Sequence, residues 1–102
     1  MKAKFTPGTW DIKPEEADKD YIRIRGTTPG GRFKVANVLN PVYEGAHIRE
    51  AEETRANARL IAAAPDLFSA AIDSMRLLKS LGMESSDEYQ SLLSATEKVY
   101  GE

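Results

Sequence analysis

Between Arg49 and Leu67 the chain reads REAEETRANARLIAAAPDL, and this run constrains the fold more than any other. Ala, Glu, Arg and Leu are the strongest helix formers, so the stretch predicts a helix from about Ile48 to Ala63. Alanine occupies positions 51, 56, 58, 62, 63 and 64. A helix this poor in bulk can approach a neighbouring backbone closely while its few long side chains stand out. Pro65 lacks an amide hydrogen and clashes one turn back. The first helix therefore ends before it or kinks at it. Pro65 suits the first turn of a second helix, with Asp66 favourable beside its N-terminal dipole.

The rest of the pattern divides into a β-rich part, residues 1–40, and a helical part, residues 48–100, of one domain spanning 1–102. Trp10-Asp11-Ile12 is a short candidate strand. Tyr21-Ile-Arg-Ile-Arg25 alternates at period two, with Tyr21, Arg23 and Arg25 on one face and Ile22 and Ile24 on the other. Gly26-Thr-Thr-Pro-Gly-Gly31 is a dense turn signal. In Arg32–Leu39 the alternation puts Phe33, Val35, Asn37 and Leu39 on one side, and the two runs predict an antiparallel hairpin. Leu67, Phe68, Ala71, Ile72, Met75, Leu78 and Leu81 carry a helical stripe that Gly82 stops. Ser85-Ser-Asp-Glu88 resembles a capping box. Tyr89, Leu92, Leu93, Thr96, Val99 and Tyr100 then form a last stripe. The expected class is α+β: an N-terminal antiparallel sheet of about three strands, then two or three helices. Their apolar faces exceed what so short a sheet covers: Phe68, Met75 and Leu78 with Tyr89 and Leu92 either pack on each other within one chain or, the favoured expectation, pack in a homo-oligomer.

Composition excludes several functions. The chain has no cysteine and one histidine, His47, so thiolate sites and multi-histidine metal sites are ruled out. A net charge of -2 argues against duplex nucleic acid as partner, because counterion displacement needs a basic surface. No apolar run reaches a bilayer span and no apolar signal core opens the chain, so the expectation is a cytoplasmic protein that does not engage membranes. No serine or other nucleophile stands in a catalytic context, and nothing calls for a metal or a cofactor. The chain reads as a non-enzyme.

Candidate binding chemistry rests on cations and aromatic rings. Arg55 and Arg59 lie one helical turn apart on one face, a spacing that disfavours like charges by a few tenths of a kcal/mol. Glu52 would offset that within the helix, as would an anionic partner, since guanidinium groups bind phosphate oxygens in a bidentate fork. Asn57 projects about 160° away, toward the side of Thr54 and Ile61. Arg25 and Arg32 flank the Gly26–Gly31 turn at one sheet end. That turn lacks a Gly-Lys-Ser/Thr ending and a following helix, so it reads as a hairpin and not a phosphate loop. Trp10, Phe33 and Tyr43 are aromatic groups suited to stacking on a base, each with core packing as the alternative. His47, in the loop before the helix near Glu44, Glu50 and Glu52, is either a base or ligand, or an exposed loop residue.

Ala56-Asn-Ala-Arg-Leu-Ile-Ala-Ala-Ala-Pro-Asp-Leu67 resembles a signature of small proteins of tailed bacteriophages and prophages. Thr6-Pro-Gly-Thr-Trp10 and Arg32-Phe-Lys-Val-Ala-Asn37 belong to the same resemblance, which covers about half of the chain. In layout, sheet first and long helices after, the chain resembles the first Thoeris anti-defence family. That resemblance implies a sponge in the host cytoplasm during infection. It would bind a cyclic nucleotide-type immune signal, a cyclic ADP-ribose derivative or a cyclic oligonucleotide of the kind CBASS uses, without cleaving it. It also implies a dimer or hexamer with pockets at subunit boundaries. The family's binding residues do not align position by position; Arg55, Arg59, Asn57, Arg25, Arg32, Trp10, Tyr43 and His47 are candidates by chemistry alone. The alternative is an inhibitor acting by protein–protein binding on a host defence or polymerase component, anti-CRISPR-like. In that reading Glu15-Glu16 and Glu50–Glu53 would mimic nucleic-acid phosphates.

Overall fold

A computed structural model describes residues 3–28, 31–39 and 48–101. The elements in order are β1 (Thr9–Ile12), β2 (Tyr21–Thr28), β3 (Gly31–Leu39), α1 (Ile48–Ser80) and α2 (Asp87–Tyr100). The class is α+β, as the patterns predicted. The chain gathers into two compact units, one of Thr6–Pro65 and one of Met1–Phe5 with Asp66–Glu102.

In the first unit the strands form one antiparallel sheet in the order β1-β2-β3. Alternation along β2 buries Ile22, Ile24 and Gly26 and leaves Tyr21, Arg23 and Arg25 half-buried. The hairpin is longer than the turn signal implied. β2 runs on through Gly26 to Thr28, which pairs with Gly31. A second correction concerns β3. Ile24 pairs with Ala36 but Arg25 pairs with Lys34, so Val35 is an inserted residue, a β-bulge. One extra residue inverts the alternation on either side of it. Ala36 and Val38 oppose Ile24 and Ile22, and all four belong to one packed cluster that Val35 also joins. Asn37 and Leu39 oppose Arg23 and Tyr21 on the other face, where Leu39 is 76% exposed. Phe33, Val35, Asn37 and Leu39 therefore do not share a side.

The helix packs against that cluster through its smallest residue. Ala58 is buried with Ile22 and Ile24, while Trp10 and Ile61 pack against them. Thr54 is also buried, and its hydroxyl donates to the Glu50 carbonyl at 2.9 Å, which satisfies it inside the helix. The alanine-rich surface is thus used within the chain at position 58.

No helix ends at Ala63 and none starts at Pro65: α1 continues unbroken through the proline. The missing amide removes one bond, the one the Ile61 carbonyl would accept. Ala62, Ala63 and Ala64 before it and Leu67, Ala70 and Ala71 after it supply enough helix propensity to carry the chain across. The helix stops where Gly82, at φ 70°, donates to the Lys79 carbonyl and Met83 donates to that of Leu78.

In the second unit Ser86 caps α2, its side chain accepting from the Tyr89 amide at 3.1 Å. The cap sits one residue later than the box Ser85…Glu88 implies, so the third helical residue is Tyr89 and no glutamate reciprocates. Phe68 stacks edge-on with Phe5 and Tyr100, at centroid distances of 5.4 and 5.7 Å. Thr96 is buried, its hydroxyl 2.9 Å from the Leu92 carbonyl and 3.6 Å from the Met75 sulfur.

Candidate functional site

The β1–β2 connection, residues 13–20, is polar and would lie loose if nothing held it. Two ion pairs do. Glu16 meets Arg23 of β2 at 2.8 Å, and Arg23 also donates to the Pro14 carbonyl. Glu15 receives a two-pronged fork from Arg55 of α1, Nε to Oε2 at 3.0 Å and Nη2 to Oε1 at 3.2 Å. The fork is the planar match that guanidinium and carboxylate make best. It holds the Arg55 pKa above its ordinary value, the hydrogen bond to Glu15 first, the charge of Glu15 next and that of Glu52 last among the raising causes.

Between the tethered connection and α1 opens a cleft of about 390 Å³. Ile12, Ile22 and Ala58 give it apolar walls, and Lys13, Arg55 and Arg59 give it three cations against the carboxylate of Glu15. Among the described residues, ion pairs engage Arg55 and Arg23 but neither Lys13 nor Arg59. The cleft can therefore offer two uncommitted cations at once, and a third if an anion displaces Glu15.

The structure brings together two of the residues expected from sequence, Arg55 and Arg59, while Asn57, Arg25 and Trp10 do not line their cleft. Asn57 is exposed on α1 and does not line the cleft. Arg25 is committed to the bulge: Nη1 donates to the carbonyls of Ile24 at 2.9 Å and Ala36 at 3.1 Å, and Nη2 to Asn37 Oδ1 at 3.0 Å. Trp10 packs on the core and donates from Nε1 to the Thr6 carbonyl at 3.0 Å, the core-packing alternative. Phe33 is 45% exposed and opposes Gly26. Tyr43 and His47 lie outside the described residues, and Arg32 is described only in its backbone.

Sequence reasoning missed Lys13 and the role of Glu15. Arg55 and Glu15 are 40 residues apart, and no local pattern links them. The one available signal was Lys13 itself, directly after the strand Trp10–Ile12. Among the described residues no three His, Cys, Asp or Glu side chains gather to hold a metal ion, and no helix is long and apolar enough to cross a membrane.

Fold and cleft define a small α+β protein with three cationic side chains, Lys13, Arg55 and Arg59, along one cleft. The family is a phage one: the chain belongs to the family described as Salmonella phage P22 protein Y8K6, whose model matches residues 1–101. Comparison with curated proteins and with solved structures finds no match. The family match carries the phage part of the resemblance drawn from the 56–67 run, and it assigns no activity.

Proposed function

We propose that this phage protein sequesters a small nucleotide-type anion, such as a cyclic ADP-ribose derivative or cyclic oligonucleotide of host immunity, and does not cleave it. The observation that carries this reading is the pair Lys13 and Arg59, without ion-pair partners among the described residues, beside Arg55 on apolar walls. Phosphate oxygens would occupy the cationic rim, and a base or ribose edge the surface of Ile12, Ile22 and Ala58. A volume of about 390 Å³ falls in the range of small-molecule sites, roughly 300–1,000 Å³. Sequestration needs affinity and abundance, not a nucleophile or a metal. The host cytoplasm during infection is where such a ligand is met. The protein–protein alternative draws less support, because Glu15 and Glu16 already neutralise Arg55 and Arg23 in place of presenting free charge.

Calorimetry with cyclic ADP-ribose isomers and cyclic dinucleotides tests the proposal. Stoichiometric binding is expected with at least one of them, abolished in Lys13→Ala/Arg59→Ala with circular dichroism unchanged. Absence of heat with every compound at tens of micromolar would overturn it, as would binding indifferent to both substitutions. Because the rim is open to solvent, affinity is expected to fall as salt rises.

A further inference from the structure

The fork between Arg55 and Glu15 lies within the cleft, since both residues line its walls. Their side chains are 47% and 42% exposed, and an ion pair so open to water adds little to stability. Tethering is therefore a weak reason for it, and its chemistry fits the cleft better. The carboxylate presents two oxygens to Nε and Nη2 at 3.0 and 3.2 Å. A phosphate presents two oxygens to a guanidinium fork in the same way. The backbone also lets Glu15 leave without loosening the connection. Before it, the Lys13 amide donates to the Arg23 carbonyl at 3.0 Å, which extends the β1–β2 ladder. After it, Glu16 meets Arg23 at 2.8 Å, and the Glu16 carbonyl accepts from the Lys19 amide at 3.1 Å. The chain is anchored to β2 on both sides of Glu15, so this side chain can turn out by its own torsions.

We infer that Glu15 is a resident stand-in for a phosphate of the ligand: it occupies Arg55 in the free protein, and the bound phosphate takes its place. The inference rests on the anion-binding reading of the cleft and adds how that cleft selects. With Glu15 in place, three cations face one carboxylate. With Glu15 turned out, Arg55 joins Lys13 and Arg59, and a phosphate group regains both hydrogen bonds that the carboxylate gave up. An anion without two such oxygens, chloride for example, cannot replace the pair of bonds and leaves the fork closed.

Titration with inorganic pyrophosphate tests this, followed by calorimetry and by the magnetic resonance signal of the Arg55 Nε–H. Pyrophosphate is expected to bind and to shift that signal. Glu15→Gln is expected to tighten binding about two- to fivefold, the scale of an exposed ion pair. Glu15→Asp keeps the charge but draws the carboxylate back by one methylene, and it is expected to tighten binding as well. Glu16→Gln removes a carboxylate from the same connection and is expected to leave the affinity unchanged. If Glu15→Asp matched the unmodified protein while Glu15→Gln and Glu16→Gln acted alike, Glu15 would be background charge and the inference would be overturned. No pyrophosphate binding in any variant, or an Arg55 signal unmoved at saturation, would overturn it too. Failure of the nucleotide reading looks different: pyrophosphate binding tightened by both Glu15 substitutions, with no affinity for cyclic nucleotides, would sustain the stand-in and sink that reading. Cyclic nucleotide binding indifferent to both substitutions would sink the stand-in alone.

Discussion

A methyl group at Gly26 would lie 2.8 Å from the Thr6 side-chain methyl, closer than real carbon contacts come, with Phe33 and Val35 at 3.6 and 3.7 Å behind it. Thr6 is held in turn by the Trp10 indole, which donates to its carbonyl. Gly26→Ala is therefore expected to destabilise the protein by about 1–3 kcal/mol through overpacking. Urea titration checks it: the midpoint falls while the slope stays constant. At the other end of the chain, Ser86→Ala removes the side chain that accepts the Tyr89 amide. It is expected to cost about 1 kcal/mol, read as a lower thermal midpoint, and an unchanged midpoint would show that the cap contributes nothing. Gly26 also marks where local reading stops. Surrounded by Thr-Thr-Pro-Gly-Gly it looks like a turn glycine, yet it sits inside a strand because a threonine 20 positions earlier packs on it. Nothing in the six-residue window carries that contact.

At the scale of elements, α1 and the sheet meet through a methyl group. Ala58 is 1% exposed against Ile22 and Ile24, so Ala58→Leu has no space and is expected to destabilise by about 1–3 kcal/mol. Asn57→Leu, exposed on the same helix and outside the cleft, is the control and is expected to leave urea stability nearly unchanged. Equal effects at both positions would contradict the packing. Strands and helices were legible because periods of two and 3.6 survive in Tyr21–Arg25 and in Leu67–Leu81. The β-bulge was not legible: it changes the facing of Asn37 and Leu39 through one unpaired residue, Val35, that alternation alone cannot flag. Continuity through Pro65 was equally hidden, since the proline forbids one hydrogen bond while the alanines around it decide whether the helix survives. Arg25 illustrates the same limit. It was chosen as a cation for a ligand, and the carbonyls of the bulge consume it.

At the scale of the whole molecule, two cations chosen from the helix pattern, Arg55 and Arg59, line one cleft, but its third cation and its carboxylate come from the β1–β2 connection. Long-range pairing such as Glu15 with Arg55 is set by the fold, so the sequence pointed to one wall of the site only. The chain belongs to a phage family whose model matches residues 1–101, and the proposed sponge requires no more than this cleft and abundance. The most direct measurement of that account uses protein purified from cells producing the immune signal. The protein is heated, the precipitate removed, and the supernatant read near 260 nm and weighed by mass spectrometry. The account predicts an intact cyclic nucleotide in near-stoichiometric amount, missing when Lys13→Ala/Arg59→Ala is purified the same way. A supernatant without nucleotide, or one holding a cleaved product, would contradict it.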